Sequence, residues 1–275
     1  MGKWFTKAVT SVIMWGIASI MLLPFVWMLS SSLKTSAEVF QFPIEWIPKH
    51  PTLGSYKLLF SSKYNFGLYY FNTFIVTLMS IIGVVFVGSM TAYAYSKIRF
   101  AGRNFIFLLM IATLAIPFQV VMIPNFIIFR SFGLLDTLTS QWIGAFLNPI
   151  MAIFFLRQFF MTISNELIDA AKIDGCGHWR ICWRIVVPLS KPVLFTVILI
   201  YFVSSWNNYE TALLYLRKPD LYVISLAVKM FSGEMHVNHA ASMAASVISI
   251  IPLLILLIFG QRYIISGLTS GAIKG

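Results

Sequence analysis

The residues able to do chemistry are few, and many of them sit together. The stretch 165–188, NELIDAAKIDGCGHWRICWRIVVP, carries Glu166, Asp169, Asp174, Lys172, His178, Arg180 and Arg184 between long apolar runs. Both cysteines of the chain, Cys176 and Cys182, lie there too, but they are not spaced as CxxC. The four histidines form no i, i+4 pair within an apolar run, and His236 and His239 stand three apart in a connector. No bound metal is therefore expected. No GxxxxGK[ST] loop occurs: Gly2-Lys3 is followed by Trp4. That device for binding ATP is missing, and no catalytic constellation replaces it. The expectation is a chain that is not an enzyme and binds no cofactor, whose charged stretch pairs and docks.

A second group of polar residues lies within or beside apolar runs. It comprises Gln119, Asn148, Trp206, Asn207, Asn208 and Tyr209, with Asn72 and Glu210 nearby. Amides and aromatic rings at membrane depth suit a neutral polyhydroxyl solute, through hydrogen bonds and ring stacking. The same residues serve equally well as interhelical hydrogen bonds or interface anchors. Charges within the runs are nearly absent, which argues against an ion-coupled pump or a voltage sensor.

The elements that must position these groups belong in a bilayer. Hydrophobic residues make up 59% of the 275, and charged ones 11%, against roughly a quarter in a soluble domain. The net charge of +11 is scattered between apolar runs, so the positive-inside bias explains it better than nucleic-acid binding does. Six windows are long and apolar enough to cross: 8–29, 71–95, 104–129, 140–160, 187–206 and 241–263. The first lacks a small-residue cleavage site and reads as a retained span. With both termini inside, twelve of the twenty Lys and Arg fall on the inner side and eight on the outer. The short loop KIRFAGR alone supplies three of the inner ones. The expectation is one all-α integral membrane domain with six transmembrane helices, N-in and C-in. An inner loop covers 161–190, an outer loop 210–240 and a C-terminal tail 264–275.

The charged stretch then lies in the cytoplasm, where no disulfide is expected. Ser164 can cap a short helix with Glu166 in its first turn. Leu167, Ala170 and Ala171 are expected on one face, Asp169 and Lys172 on another at i, i+3. Gly175 and Gly177 break the helix. Trp179, Cys182, Trp183 and Val186 follow at i, i+3, i+4 and i+7, with Arg180 and Arg184 on a different face. Pro188 falls where the next span can begin. A structured bracket with exposed apolar faces suggests a partner that covers them.

The same stretch resembles the cytoplasmic EAA loop of the ABC importer permeases. The matching residues are Asp169-Ala170-Ala171, then Gly175, then Ile185-Val186-Val187-Pro188. The run LRQFFMTISNELIDAAKIDG looks most like permeases of carbohydrate importers of the maltose type. SSLK after the first span, SSWNNYETALLYL at 204–216 and the terminal GLTSGAIKG extend the likeness to the whole chain, toward the G-subunit branch. The family's usual Glu is Asp169 here, one methylene shorter. The resemblance implies a type I importer permease fold that translocates a sugar by alternating access. It implies a second homologous permease, two ATPase subunits that hold ATP and Mg, and an extracytoplasmic solute-binding protein. It implies a bacterial or archaeal cytoplasmic membrane. Asp169, Ala170, Ala171, Gly175, Ile185 and Pro188 would couple to the ATPase, and Thr269, Ser270, Gly271 and Lys274 in the tail would reach toward the ATPase dimer interface.

Other readings predict features that are missing. A stand-alone secondary transporter or channel calls for intramembrane charges or internal repeats. A membrane-embedded enzyme calls for clustered ionisable groups at one membrane face. A permease for glycerol-3-phosphate or another polyol ester calls for basic residues along the path, and none lies deep in a span.

Overall fold

The computed structural model describes residues 2–61, 64–233 and 238–269, and among them every regular element is helical. In chain order the α-helices are α1 (Gly2–Ser32), α2 (Gly54–Leu59), α3 (Phe66–Gly83), α4 (Ser89–Lys97) and α5 (Arg103–Ala112). They continue with α6 (Phe118–Ser131), α7 (Thr139–Leu147), α8 (Ile150–Thr162), α9 (Asn165–Ile173) and α10 (His178–Ile181). The last are α11 (Val187–Leu189), α12 (Lys191–Trp206), α13 (Glu210–Tyr215), α14 (Ile224–Gly233) and α15 (His239–Thr269). A π-helical turn, Val84–Gly88, joins α3 to α4 without a break, and a second one, Cys182–Val186, joins α10 to α11. Four helical stretches are long and apolar enough to cross a membrane: Phe5–Ser32, Phe66–Lys97, Thr139–Thr162 and His239–Gln261. Two bent pairs bring the number of candidate spans to as many as six.

The two bends fall within the windows 104–129 and 187–206, and neither window is one continuous helix. The first breaks between α5 and α6, whose axes meet at 101°. Proline has no N–H to donate and disfavours a helical residue before it. Ile116 and Pro117 are accordingly extended, with ψ of 114° and 145°. Pro124 sits inside α6 without ending it. In the second window the bend is 85°, and Ser190 occupies it. The membrane helix begins at Lys191, with Pro192 in its first turn, where the missing N–H costs little. Pro188 therefore lies before the bend, in the last turn of the bracket, and does not open the span.

The chain divides into two compact units, Met1–Gly67 with Ala227–Ile251, and Leu68–Leu226 with Pro252–Gly275. In the first, residues 5–26 of α1 are all exposed, as suits a helix whose surroundings are lipid. The chain after α1 is held by a buried polar knot. Ser31, Ser32 and Lys34 have almost no exposed surface. Ser30 Oγ donates to the Trp46 carbonyl at 2.6 Å, and the Ser32 and Tyr56 hydroxyls meet at 2.8 Å. Lys34 donates to the Glu45 carbonyl and lies 4.6 Å from the centre of the Trp27 ring. A buried ammonium needs such partners.

The second unit holds the main core, built from α4, α8, the 165–190 segment and α12 around Val84, Ala92, Leu156, Phe160, Ile181 and Val186. In hydrocarbon, helices gain little from burying apolar surface, so close packing of small residues drives their association. Gly88 shows this: a Cβ there would come within 3.2 Å of the Ala152 Cβ. The smaller cluster of Val76, Ala212, Leu216, Val223 and Leu226 ties α3 to the segment after α12. Asn72, a candidate polar group at membrane depth, serves this tie by donating to the carbonyls of Asp220 and Tyr222 at 2.9 and 3.0 Å.

Candidate functional site

The 165–188 segment folds as a helix–turn–helix bracket, and its first helix starts where the sequence places a cap. Ser164 Oγ accepts from the Glu166 amide at 3.1 Å, and Glu166 occupies the first turn, next to the positive end of the helix dipole. Ile168 and Ala171 form the buried face of α9. Leu167 and Ala170 do not share it with Ala171 as the sequence suggests; both are exposed. The buried stripe lies one position away from the expected one because α9 packs on the core through Ile168. Asp169 and Lys172 pair at 3.0 Å, both well exposed.

The turn depends on one glycine. Gly175 has φ +80°, a left-handed conformation that a side chain disfavours. It closes α9 in a Schellman arrangement: Cys176 N–H reaches the Ala171 carbonyl at 2.9 Å and Gly175 N–H the Lys172 carbonyl at 3.0 Å. Gly177 has φ −72°, which any residue adopts, and simply precedes α10. The second arm buries Ile181, Cys182 and Val186 and half-buries Ile185. Trp183 stacks on Phe86, ring centres 5.7 Å apart, while Trp179 is 59% exposed. Arg180, Arg184 and Pro188 face outward.

Two residues that the sequence reading gave no role, Lys97 and Tyr93, fix this bracket to the helical core, and a third, Arg157, braces that core beside it. Lys97, at the end of α4, donates to the Ile163 carbonyl at 2.5 Å and to Asn165 Oδ1 at 3.0 Å, gripping the entrance to the bracket. The Tyr93 hydroxyl meets His178 Nδ1 at 2.9 Å, gripping its second arm. Arg157 on α8 is 9% exposed, donates from Nε to the Tyr95 carbonyl at 3.3 Å and lies 4.0 Å from the centre of the Phe107 ring. The one local signal for these was a lysine at the end of an apolar run and an arginine inside another. Their partners lie tens of residues away.

A small polar cavity of about 230 Å³ lies elsewhere in the same unit, lined by Ser80, Gln141, Asn148, Tyr201, Ser205 and Asn208 among others. The break between α7 and α8 at Asn148-Pro149 places Asn148 there, and its side-chain amide has no partner among the described residues. Ser205 and Ser80 hydroxyls lie 3.3 Å apart, and Asn208 Oδ1 accepts from the Thr211 amide at 3.3 Å. No charged side chain lines this cavity. The structure thus brings Asn148 and Asn208 together and places the other candidates apart. Trp206 is buried, stacked on Phe202 at 5.4 Å and edge-on to Tyr70. Asn207 turns back to the Val203 carbonyl of its own helix. Gln119 and Tyr209 share a separate, largely apolar hollow with Phe118, Met122 and Leu213. Thr269 is the last residue of α15, and Ser270, Gly271 and Lys274 lie outside the described residues.

The family model for binding-protein-dependent transport system inner membrane components matches residues 84–270, which include the bracket and nearly all of the cavity. The chain belongs to this family. Among relatives of this inner membrane component is the arabinooligosaccharides transport system permease of Halalkalibacterium halodurans, 33% identical over 94% of this chain and 93% of the relative. The sulfoquinovosyl glycerol transport system permease of Agrobacterium fabrum is 34% identical over 92% and 89%. A crystal structure of a bacterial ABC transporter involved in the import of the acidic polysaccharide alginate contains a chain that superposes with a TM-score of 0.81. That chain is 26% identical, and the match covers 96% of this chain and 98% of the other. The protein is therefore a multi-pass permease subunit with the ABC importer permease fold, a transport component and not an enzyme.

Proposed function

We propose that this permease moves a neutral sugar, a mono- or oligosaccharide, into the cytoplasm by alternating access, with the 165–188 bracket as its coupling element. The observation that carries the coupling reading is the bracket itself. It is capped, hinged on one left-handed glycine and tied to the core by Lys97 and Tyr93, yet it leaves Leu167, Ala170, Ile173 and Trp179 exposed. A rigid element with an uncovered apolar rim fits a docking surface. Its partner on this reading is a separate ATPase subunit, one of two, which bind ATP and Mg. A second, homologous permease and an extracytoplasmic binding protein complete the assembly. The chain is oriented N-in and C-in in a bacterial or archaeal cytoplasmic membrane.

The sugar reading is supported by the relatives' names and by the cavity. Its lining offers amides, hydroxyls and a tyrosine with no charge, which matches a polyol and not a phosphate ester. Its volume falls below the ~300–1,000 Å³ usual for small-molecule sites, so the companion permease supplies the remainder of the path. The test is transport by the assembled complex with Asn148→Ala and Asn208→Ala. Each variant should change solute affinity or maximal rate several-fold while ATPase assembly is retained. Unchanged transport in both, or a preference for a phosphorylated solute over a neutral oligosaccharide, would overturn this reading.

A further inference from the structure

Two adjoining hollows open where α4 gives way to α5. The larger, about 550 Å³, is lined by Lys97, Arg99, Arg103, Lys172 and His178, with Asp169 as its only carboxylate. The smaller, about 370 Å³, shares Arg99 and Arg103 and extends to Gly102, Asn104 and Phe105 at the start of α5. Three of the cations are already partnered. Lys97 is bound to the Ile163 carbonyl and Asn165, Arg103 Nη1 donates to the Ile98 carbonyl at 3.1 Å, and Lys172 pairs with Asp169. Arg99 is exposed and has no partner among the described residues. Cations gathered with one carboxylate repel one another, and an anion entering the hollow relieves that repulsion.

We infer that these hollows bind the phosphate of an anionic phospholipid headgroup, with Arg99 and Arg103 as its principal ligands. Arginine presents a fork of N–H donors that matches phosphate oxygens in pairs, and both residues line both hollows. The rim favours a lipid over free phosphate. Phe105, Leu108 and Leu109 on α5 are 64%, 63% and 51% exposed, so an apolar strip leads away from the mouth along a helix expected in hydrocarbon. A headgroup in the hollow would lay its acyl chains on that strip. Basic pockets beside membrane helices on the cytoplasmic side are suited to anionic lipid headgroups. The inference rests on the N-in, C-in orientation proposed above for placing the mouth at the inner leaflet. It also gives the KIRFAGR loop a role beyond orienting the chain. Its consequence is that lipid charge acts beside Asp169 and Lys172, within the bracket.

The test uses the assembled transporter in nanodiscs of phosphatidylcholine mixed with phosphatidylglycerol, with retained lipid measured by native mass spectrometry. Wild type should retain phosphatidylglycerol in preference to phosphatidylcholine. Arg99→Gln with Arg103→Gln should reduce that preference roughly tenfold or more, since each basic residue near an anionic surface contributes about 1 kcal/mol. Arg99→Gln alone, at an exposed side chain without partners, gives the same direction with folding not at stake. Equal retention of the two lipids by wild type, or an unchanged preference in both variants, overturns the inference. Displacement of phosphatidylglycerol by inorganic phosphate assigns the site to free phosphate and overturns the lipid. This readout needs neither transport nor ATP hydrolysis, so it stands apart from the test of the sugar path. Labelling of a cysteine placed at Asn104 from one side of sealed vesicles checks the orientation separately.

Discussion

At the residue scale, the bracket turns on features of very different energetic weight. The Asp169–Lys172 pair is exposed at both ends, and such i, i+3 pairs contribute about 0.2–0.5 kcal/mol. Asp169 is therefore nearly free, in energy, to exchange Lys172 for a basic group on a docked subunit. Asp169→Lys should impair solute-driven transport severely and Asp169→Glu little, with melting of the complex unchanged in both. The measurement is uptake beside a thermal melt. Normal uptake by the Lys variant removes the charge from the mechanism, and a lowered melting temperature reassigns the residue to stability. Gly175 is different. A Cβ there would touch nothing within 4 Å, so the cost of a side chain is the left-handed backbone alone, roughly 1–2 kcal/mol. The cap at Ser164 and the stop at Gly175 were both legible in the sequence, because each is local chemistry written within a few residues. The buried stripe of α9 was not, because Leu167 and Ile168 are equally apolar and only the core decides which one faces it.

At the element scale, α4 acts as a strut. It packs along α8 and holds both arms of the bracket, through Lys97 at the entrance and Tyr93 at His178. Motion of the core and motion of the bracket are thereby linked by side-chain contacts with no loop between them. Lys97→Met keeps the length of the side chain and removes the donor. It should speed hydrogen exchange across α9, lowering the opening free energy by about 0.5–1.5 kcal/mol, the net contribution of the bond to the half-buried Ile163 carbonyl. Exchange in the assembled transporter checks this, and unchanged protection of α9 would show that the tie is incidental. Elements of this kind were only half legible. Apolar windows reveal membrane helices but carry no direction, so the 101° break at Pro117 and the 85° bend at Ser190 went unseen. The prolines were visible, yet Pro117 lies at the break before α6 while Pro24, Pro124 and Pro252 sit inside helices that continue. Residue type alone does not separate them, because a membrane helix can carry a proline without ending.

At the scale of the whole molecule, the polar groups sort by what the fold brings together. Asn148 and Asn208 stand 60 positions apart in sequence and share one cavity, while Trp206 and Asn207, adjacent to Asn208, serve packing and the helix end. Residue type marked all of them as candidates, and position in the fold divides them. The division places a polar, uncharged cavity and a charged, hinged bracket in one compact unit, joined through α8 and α4. The central claim is that the bracket passes work between a docked ATPase and that cavity. The most direct measurement is ATP hydrolysis by the purified transporter, with binding protein and solute present, comparing wild type with Gly175→Asn and Gly175→Val. Asparagine tolerates the left-handed conformation, and a β-branched residue does not. The expected result is stimulated hydrolysis close to wild type for Asn and lost, or the ATPase released, for Val, with the permease inserted normally in both. Full stimulation and a retained ATPase in the Val variant would contradict the coupling role of the bracket.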